Sequence, residues 1–154
     1  MLPAPQVSSS GHVCPAHDLP PWRYHRVLPK TIHKISQPRI LIVDASSESR
    51  EILCTLLKRE GVETFEASGP DRASQLVRDR QPHLIVYDME SDRRPSRQAQ
   101  ADLGQMATRS DIPIVVLGTA KRLAGPLPTG QFISKPYHYA PLIRRIEGLL
   151  AACA

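Results

Sequence analysis

Three short apolar runs in this chain each end at a charged residue. Asp44 closes Ile40-Leu41-Ile42-Val43, Asp88 closes Leu84-Ile85-Val86-Tyr87, and Lys135-Pro136 follows Gln131-Phe132-Ile133-Ser134. Runs of Ile, Leu and Val that are continuous rather than alternating are the pattern of parallel strands buried on both faces. In an open parallel sheet, ligands bind outside the carboxyl ends of the strands, where strand order reverses. Two carboxylates at such a rim can hold a hard cation such as Mg²⁺ and orient an incoming phosphoryl group, and a nearby ammonium can neutralise the phosphoryl oxygens. The residues predict phosphate chemistry on an α/β sheet.

The elements that must position these groups start at Arg39. A first strand over Arg39 to Val43 leads to Ser46-Ser47-Glu48, which suits a helix start. In the helix that follows, Ile52, Leu53, Leu56 and Leu57 form an apolar stripe, and Gly61 ends it. Val62 to Ala67 alternates with Glu63 and Glu66 and reads as an exposed edge strand. Pro70 opens a second helix with Ala73, Leu76 and Val77 inward, and Pro82 leads into a strand over Leu84 to Tyr87. A third helix is expected over roughly Arg97 to Thr108, with Ala101, Leu103, Met106 and Ala107 as its apolar material. Ile112 to Leu117 is the fourth strand. The helix due before the fifth strand is expected to be shortened or absent, because Gly125, Pro126, Pro128 and Gly130 interrupt it; proline costs about 3 kcal/mol and glycine about 1 inside a helix. Phe132 to Ser134 is the fifth strand, and Leu142, Ile143, Ile146, Leu149 and Leu150 mark an amphipathic last helix. Alternating strand and helix signals define a doubly wound parallel sheet.

The 154 residues amount to one domain. Residues 1 to 38 hold seven prolines and carry Arg23, Arg26, Lys30 and Lys34 against Asp18 alone, so most of the net charge of +5 lies there. This segment reads as an extended or disordered basic arm, with Trp22 and Tyr24 as its aromatic exceptions. The domain proper covers 39 to 150, and 151 to 154 form a tail. Cys14, Cys54 and Cys153 are odd in number and widely spaced, against a disulfide framework and in favour of the cytoplasm. Apolar stretches long enough for membrane insertion and a secretory signal are both lacking.

Over nearly all of 39 to 150 the chain resembles the receiver domain of bacterial two-component response regulators. The resemblance rests on Ile40 to Asp44, Gly61 to Ala67, Gln81 to Asp88, Asp111 to Leu117 and Phe132 to Tyr137, in that order and spacing. It implies a flavodoxin-like fold with five strands in the order 2-1-3-4-5. It further implies Asp88 as phosphoacceptor, Asp44 as first acid of a Mg²⁺ pocket completed by Asp88 and the backbone carbonyl of Glu90, and Lys135 as reader of the acyl phosphate. Phe132 matches the family's switch aromatic, and the Lys135-Pro136 peptide is expected to be cis.

Four departures qualify the resemblance. Ala45 stands where the family has a second acid, which weakens Mg²⁺ binding. Gly118 stands where the family places a Ser or Thr, and Thr119 comes one residue late, so a bulge is needed for Thr119 to read the phosphoryl group. The loop after Asp88 lacks the family's Met-Pro and Asp-Gly and carries Arg93 and Arg94. The broken helix before the fifth strand is the fourth. Driving a switch from 1:99 to 99:1 takes about 5.5 kcal/mol, and a hydrogen bond to a charged group contributes roughly 1.5 to 3; Lys135 with a hydroxyl reaches that sum, whereas Lys135 alone falls short.

The expected function is that of a single-domain receiver without an output domain, accepting a phosphoryl group on Asp88 from a sensor histidine kinase or phosphotransfer protein and signalling to a downstream protein target. Such a chain is a substrate rather than an enzyme. The alternative is a pseudo-receiver that docks a partner without phosphorylation. Further behind is a flavodoxin-like cofactor binder, for which Ala45-Ser46-Ser47-Glu48-Ser49 is a faint phosphate loop. A nucleic-acid partner is not expected, since no recognised binding module accompanies the basic arm; a homodimer remains open.

Overall fold

A computed structural model describes residues 37–90, 96–119 and 131–152. The expected basic arm, Arg93 and Arg94, and the broken helix before the fifth strand lie outside the described residues. The order is β1 (Arg39–Val43), α1 (Ser47–Arg59), β2 (Glu63–Ala67), α2 (Pro70–Arg80), β3 (Leu84–Asp88), α3 (Arg97–Arg109), β4 (Ile114–Gly118), β5 (Gln131–Ser134) and α4 (Tyr139–Ala152). All pairings are parallel and the sheet runs β2-β1-β3-β4-β5, the flavodoxin-like arrangement.

Because successive strand residues point to opposite faces, each apolar run feeds two cores. Ile40, Ile42, Leu84, Val86, Val115 and Leu117 meet Leu53, Leu57, Leu142 and Ile146, so α1 and α4 cover one face. Leu41, Val43, Ile85, Tyr87, Ile114 and Val116 meet Ala73, Leu76, Val77, Leu103 and Ala107 beneath α2 and α3. Double coverage is why the central strands have no polar alternation. At the edge, β2 keeps Glu63 and Glu66 exposed.

The helix ends follow local chemistry. The Ser46 hydroxyl accepts from the Ser49 N–H to open α1, and the Ser96 hydroxyl from the Ala99 N–H to open α3. At the end of α1, Gly61 has φ 79°, its N–H donates to the Lys58 carbonyl, and the Val62 N–H donates to the Leu57 carbonyl. These two bonds form a Schellman motif, which a residue without a Cβ adopts without strain.

Three expectations need correction. Ile52 is 39% exposed, and Cys54 joins Leu53 and Leu57 on the buried stripe of α1. At 100° per residue, 53, 54 and 57 share a face that 52 leaves. In α3, Ala99, Gln100 and Gly104 are buried beside Leu103 and Ala107, whereas Ala101 and Met106 are only half-buried. The Gln100 amide is accommodated because Nε2 donates to the Tyr87 hydroxyl at 2.9 Å. β4 starts at Ile114 rather than Ile112. Asp111 has φ 54°, the Ile112 N–H turns back to the Ala107 carbonyl, and Pro113 has no N–H for a ladder.

Candidate functional site

Register brings the charged strand ends together. Val43 pairs with Tyr87, Asp88 with Leu117, and Gly118 with Ser134. Asp44, Asp88, Thr119 and Lys135 therefore emerge at one carboxyl rim, although residues as far apart as 44 and 135 contribute to it.

Asp88 is buried, at 4% exposure. Its Oδ2 accepts from Lys135 Nζ at 2.5 Å and its Oδ1 from the Glu90 N–H at 2.9 Å. Such charge-assisted bonds are what keep a buried carboxylate tolerable. Lys135 is set by β5, its own N–H donating to the Gly118 carbonyl at 3.0 Å, and the Lys135-Pro136 peptide is cis. Asp44 is equally buried; its Oδ1 accepts from the Ser46 N–H at 2.8 Å, and its carbonyl accepts from Arg50 Nη1 at 2.6 Å. Arg50 also pairs with Glu66 on β2 at 3.3 Å. The loop after β1 is thus tied to β2 on one side and to the start of α1 on the other.

Thr119 is not carried back into the position of Gly118. The ladder between β4 and β5 pairs one to one through Gly118, so it contains no bulge. Thr119 engages the site through its backbone N–H, which donates to Glu90 Oε1 at 2.8 Å. Gly118 leaves room beside it: a Cβ there would sit 3.8 Å from Glu90 Cγ, Met89 Cβ and Phe132 Cε2, all ordinary contacts. Phe132 is half-buried against the core beneath α2 and α3, its ring edge turned toward Gly118.

Two site residues escaped the sequence reading. Glu90 entered it only for its backbone carbonyl, yet its side chain accepts from Thr119 and its Oε2 lies 3.8 Å from Lys135 Nζ. Tyr137, which follows the cis Lys135-Pro136 peptide, is the other. Burial above all, then Tyr139, Asp88 and Asp44, push its hydroxyl up to about 12, which places both aspartates within electrostatic reach of one phenol. Its ring meets Tyr139 edge to face at 5.9 Å. An acid two residues after Asp88 and a glycine at 118 were the available clues to Glu90; neither marks the direction of a side chain.

Among the described residues no group of three or more His, Cys, Asp or Glu is arranged to hold a metal ion, and no helix is long and apolar enough to cross a membrane. The rim combines two buried carboxylates, one ammonium that neutralises the second of them, and backbone N–H donors at the ends of β3 and β4.

No protein-family model matches the chain. Relatives do. The phosphate regulon transcriptional regulatory protein PhoB of Klebsiella pneumoniae is 32% identical over 119 residues, covering 73% of this chain and 51% of PhoB. The chain thus spans about half the length of the curated relatives it matches first. Among solved structures, a response regulator receiver protein from Sinorhizobium medicae superposes with a TM-score of 0.63 at 20% identity, over 77% of this chain and 98% of that one. The receiver domain of the Saccharomyces cerevisiae response regulator Ssk1, crystallised with the histidine phosphotransfer protein Ypd1, gives a TM-score of 0.58 at 17% identity, over 71% of this chain and 86% of its own. With its strand order, its rim and these likenesses, the domain that begins at Arg39 has the flavodoxin-like receiver fold and is similar to response regulators over that domain.

Proposed function

We propose that this receiver domain accepts a phosphoryl group on Asp88 from a phosphohistidine of a sensor histidine kinase or phosphotransfer protein, and passes the signal to a downstream protein target in the cytoplasm. The observation that carries this reading is the buried Asp88 carboxylate, placed at the carboxyl end of β3 with Lys135 Nζ at 2.5 Å. A carboxylate oxygen of Asp88 attacks phosphorus in line, the P–O bond forms, the P–N bond breaks, and the imidazole leaves with the electron pair. Lys135 then neutralises phosphoryl oxygen as the charge on Asp88 is spent in the acyl bond. Burial of Asp88 keeps water from the nascent anhydride.

Mg²⁺ suits the pair of buried acids, because it is commonly held by one or two carboxylates together with waters and substrate phosphates. Asp44, Asp88 and the Glu90 carbonyl would hold it, and Ala45 adds no oxygen, which makes the binding weak. When bound, the ion offsets the charge of the transferring phosphoryl group. Thr119 would contribute its N–H to the same oxygens, and Phe132 would change its packing with the occupancy of the rim.

A second reading, a receiver that docks its partner without phosphorylation, is favoured by Ala45 and Gly118, which leave two family positions without an oxygen. Incubation with acetyl phosphate and Mg²⁺ separates the two. A phosphoryl mass on the intact protein, lost in Asp88→Asn, supports the phosphoacceptor; a protein that stays unmodified both as wild type and as Glu90→Ala leaves the docking reading.

A further inference from the structure

We infer that the Glu90 side chain is an internal anion seated on the donors that would otherwise read the phosphoryl group, so that it latches the site shut until it swings away. This inference rests on the phosphoacceptor reading of Asp88. The two donors at the ends of β4 and β5 are the Thr119 N–H and the Lys135 ammonium. Glu90 approaches both at once, Oε1 at 2.8 Å from the Thr119 nitrogen and Oε2 at 3.8 Å from Lys135 Nζ. Its chain lies against Gly118, whose missing side chain keeps that space open.

The contact is held by the fold. Asp88 Oδ1 accepts the Glu90 N–H at 2.9 Å, which fixes the backbone from which the side chain reaches across to β4. Glu90 and Asp88 then share Lys135, whose Nζ is 2.5 Å from one and 3.8 Å from the other. A tetrahedral phosphoryl group on Asp88 brings its own negative oxygens to the same ammonium and the same N–H. Two anions cannot both occupy those donors without strong repulsion at this separation, so transfer requires the Glu90 carboxylate to leave. The Glu90 side chain is a quarter exposed, and solvent is available to receive it. Glu90 forms no bond with phosphorus: from acetyl phosphate, an Asp88 oxygen bonds to phosphorus, the P–O bond to acetate breaks, and acetate departs with the electron pair. The rate of that step is what Glu90 controls.

The test compares the full-length wild type, Glu90→Ala and Glu90→Ala with Asp88→Asn in acetyl phosphate and Mg²⁺, following phosphoryl mass on the intact chain. Alanine keeps the Glu90 backbone carbonyl, and circular dichroism verifies the fold of each variant. Glu90→Ala should phosphorylate at least about tenfold faster than wild type, the competition of one hydrogen bond to a charged group having been removed, and the double variant should not phosphorylate. Equal rates in wild type and Glu90→Ala would overturn the latch while leaving the acceptor role of Asp88 intact. If neither protein gains a phosphoryl group, the acceptor reading falls and the latch is decided by inorganic phosphate titrated against the Thr119 amide resonance. Tighter phosphate binding in Glu90→Ala than in wild type upholds the latch; indistinguishable binding overturns it.

Discussion

Removing Lys135 should destabilise the domain through Asp88 rather than through packing. Asp88 is 4% exposed, and Lys135 Nζ lies 2.5 Å from its Oδ2. Breaking a fully buried ion pair from one side costs about 3 to 5 kcal/mol, whereas an exposed pair contributes about 0 to 1. The Lys135 side chain is 29% exposed, so water reaches the pair from one side and the loss belongs between these limits. Oδ1 also keeps the Glu90 N–H. A cost of about 1.5 to 3 kcal/mol for Lys135→Met follows, the usual range for a hydrogen bond to a charged group. Asp88→Asn should cost less, because the amide carbonyl can still accept from either donor. In the double variant the ammonium and the carboxylate vanish together, so the two costs should fail to add by about 1 to 2 kcal/mol. Equilibrium urea unfolding of the four proteins at pH 7, followed by far-ultraviolet circular dichroism, measures this; with a slope of about 1 to 3 kcal/mol/M the Lys135→Met midpoint should fall by about 1 M. Costs that add to within about 0.3 kcal/mol would refute the reasoning and place the ammonium in solvent.

Leu103 is fully buried whereas Ile52 is 39% exposed, so Leu103→Ala should cost about 2 to 5 kcal/mol and Ile52→Ala stay within about 0.5; equal shifts in urea midpoint would contradict the assigned stripe of α1 and core of α3. Acidification should act through His83, whose Nδ1 accepts the Arg39 N–H at 3.0 Å and whose pKa is held below the ordinary 6.5 by burial and by Arg39. The unfolded chain then binds the proton first, so this contribution is complete above pH 6.5 and is lost as pH falls toward the folded value; the unfolding midpoint of His83→Gln should vary less between pH 7 and 5, and an unchanged slope would remove His83 from the account.

The runs ending at Asp44 and Asp88 were legible because a strand covered on both faces must be apolar at every position, a demand that leaves its mark in consecutive residues. Pro70 and Gly61 likewise announced a helix start and a helix end through φ alone. The α1 stripe and the start of β4 were legible only approximately: Cys54 and Ile52 are both apolar enough for a stripe, and which is buried depends on the angle at which the helix meets the sheet. In the same way, the turn at Asp111 moved β4 past Pro113.

From sequence alone came the parallel sheet and the rim with Asp44, Asp88 and Lys135, since the residue types that build such a strand and end it lie next to one another along the chain. The tertiary structure alone decided that Glu90 reaches Thr119 and Lys135, that Thr119 offers an N–H without a bulge, and that Tyr137 lies near both acids. Those contacts join residues 29 to 93 positions apart. Their geometry is set by strand register and side-chain direction, which distant neighbours impose and no local pattern encodes.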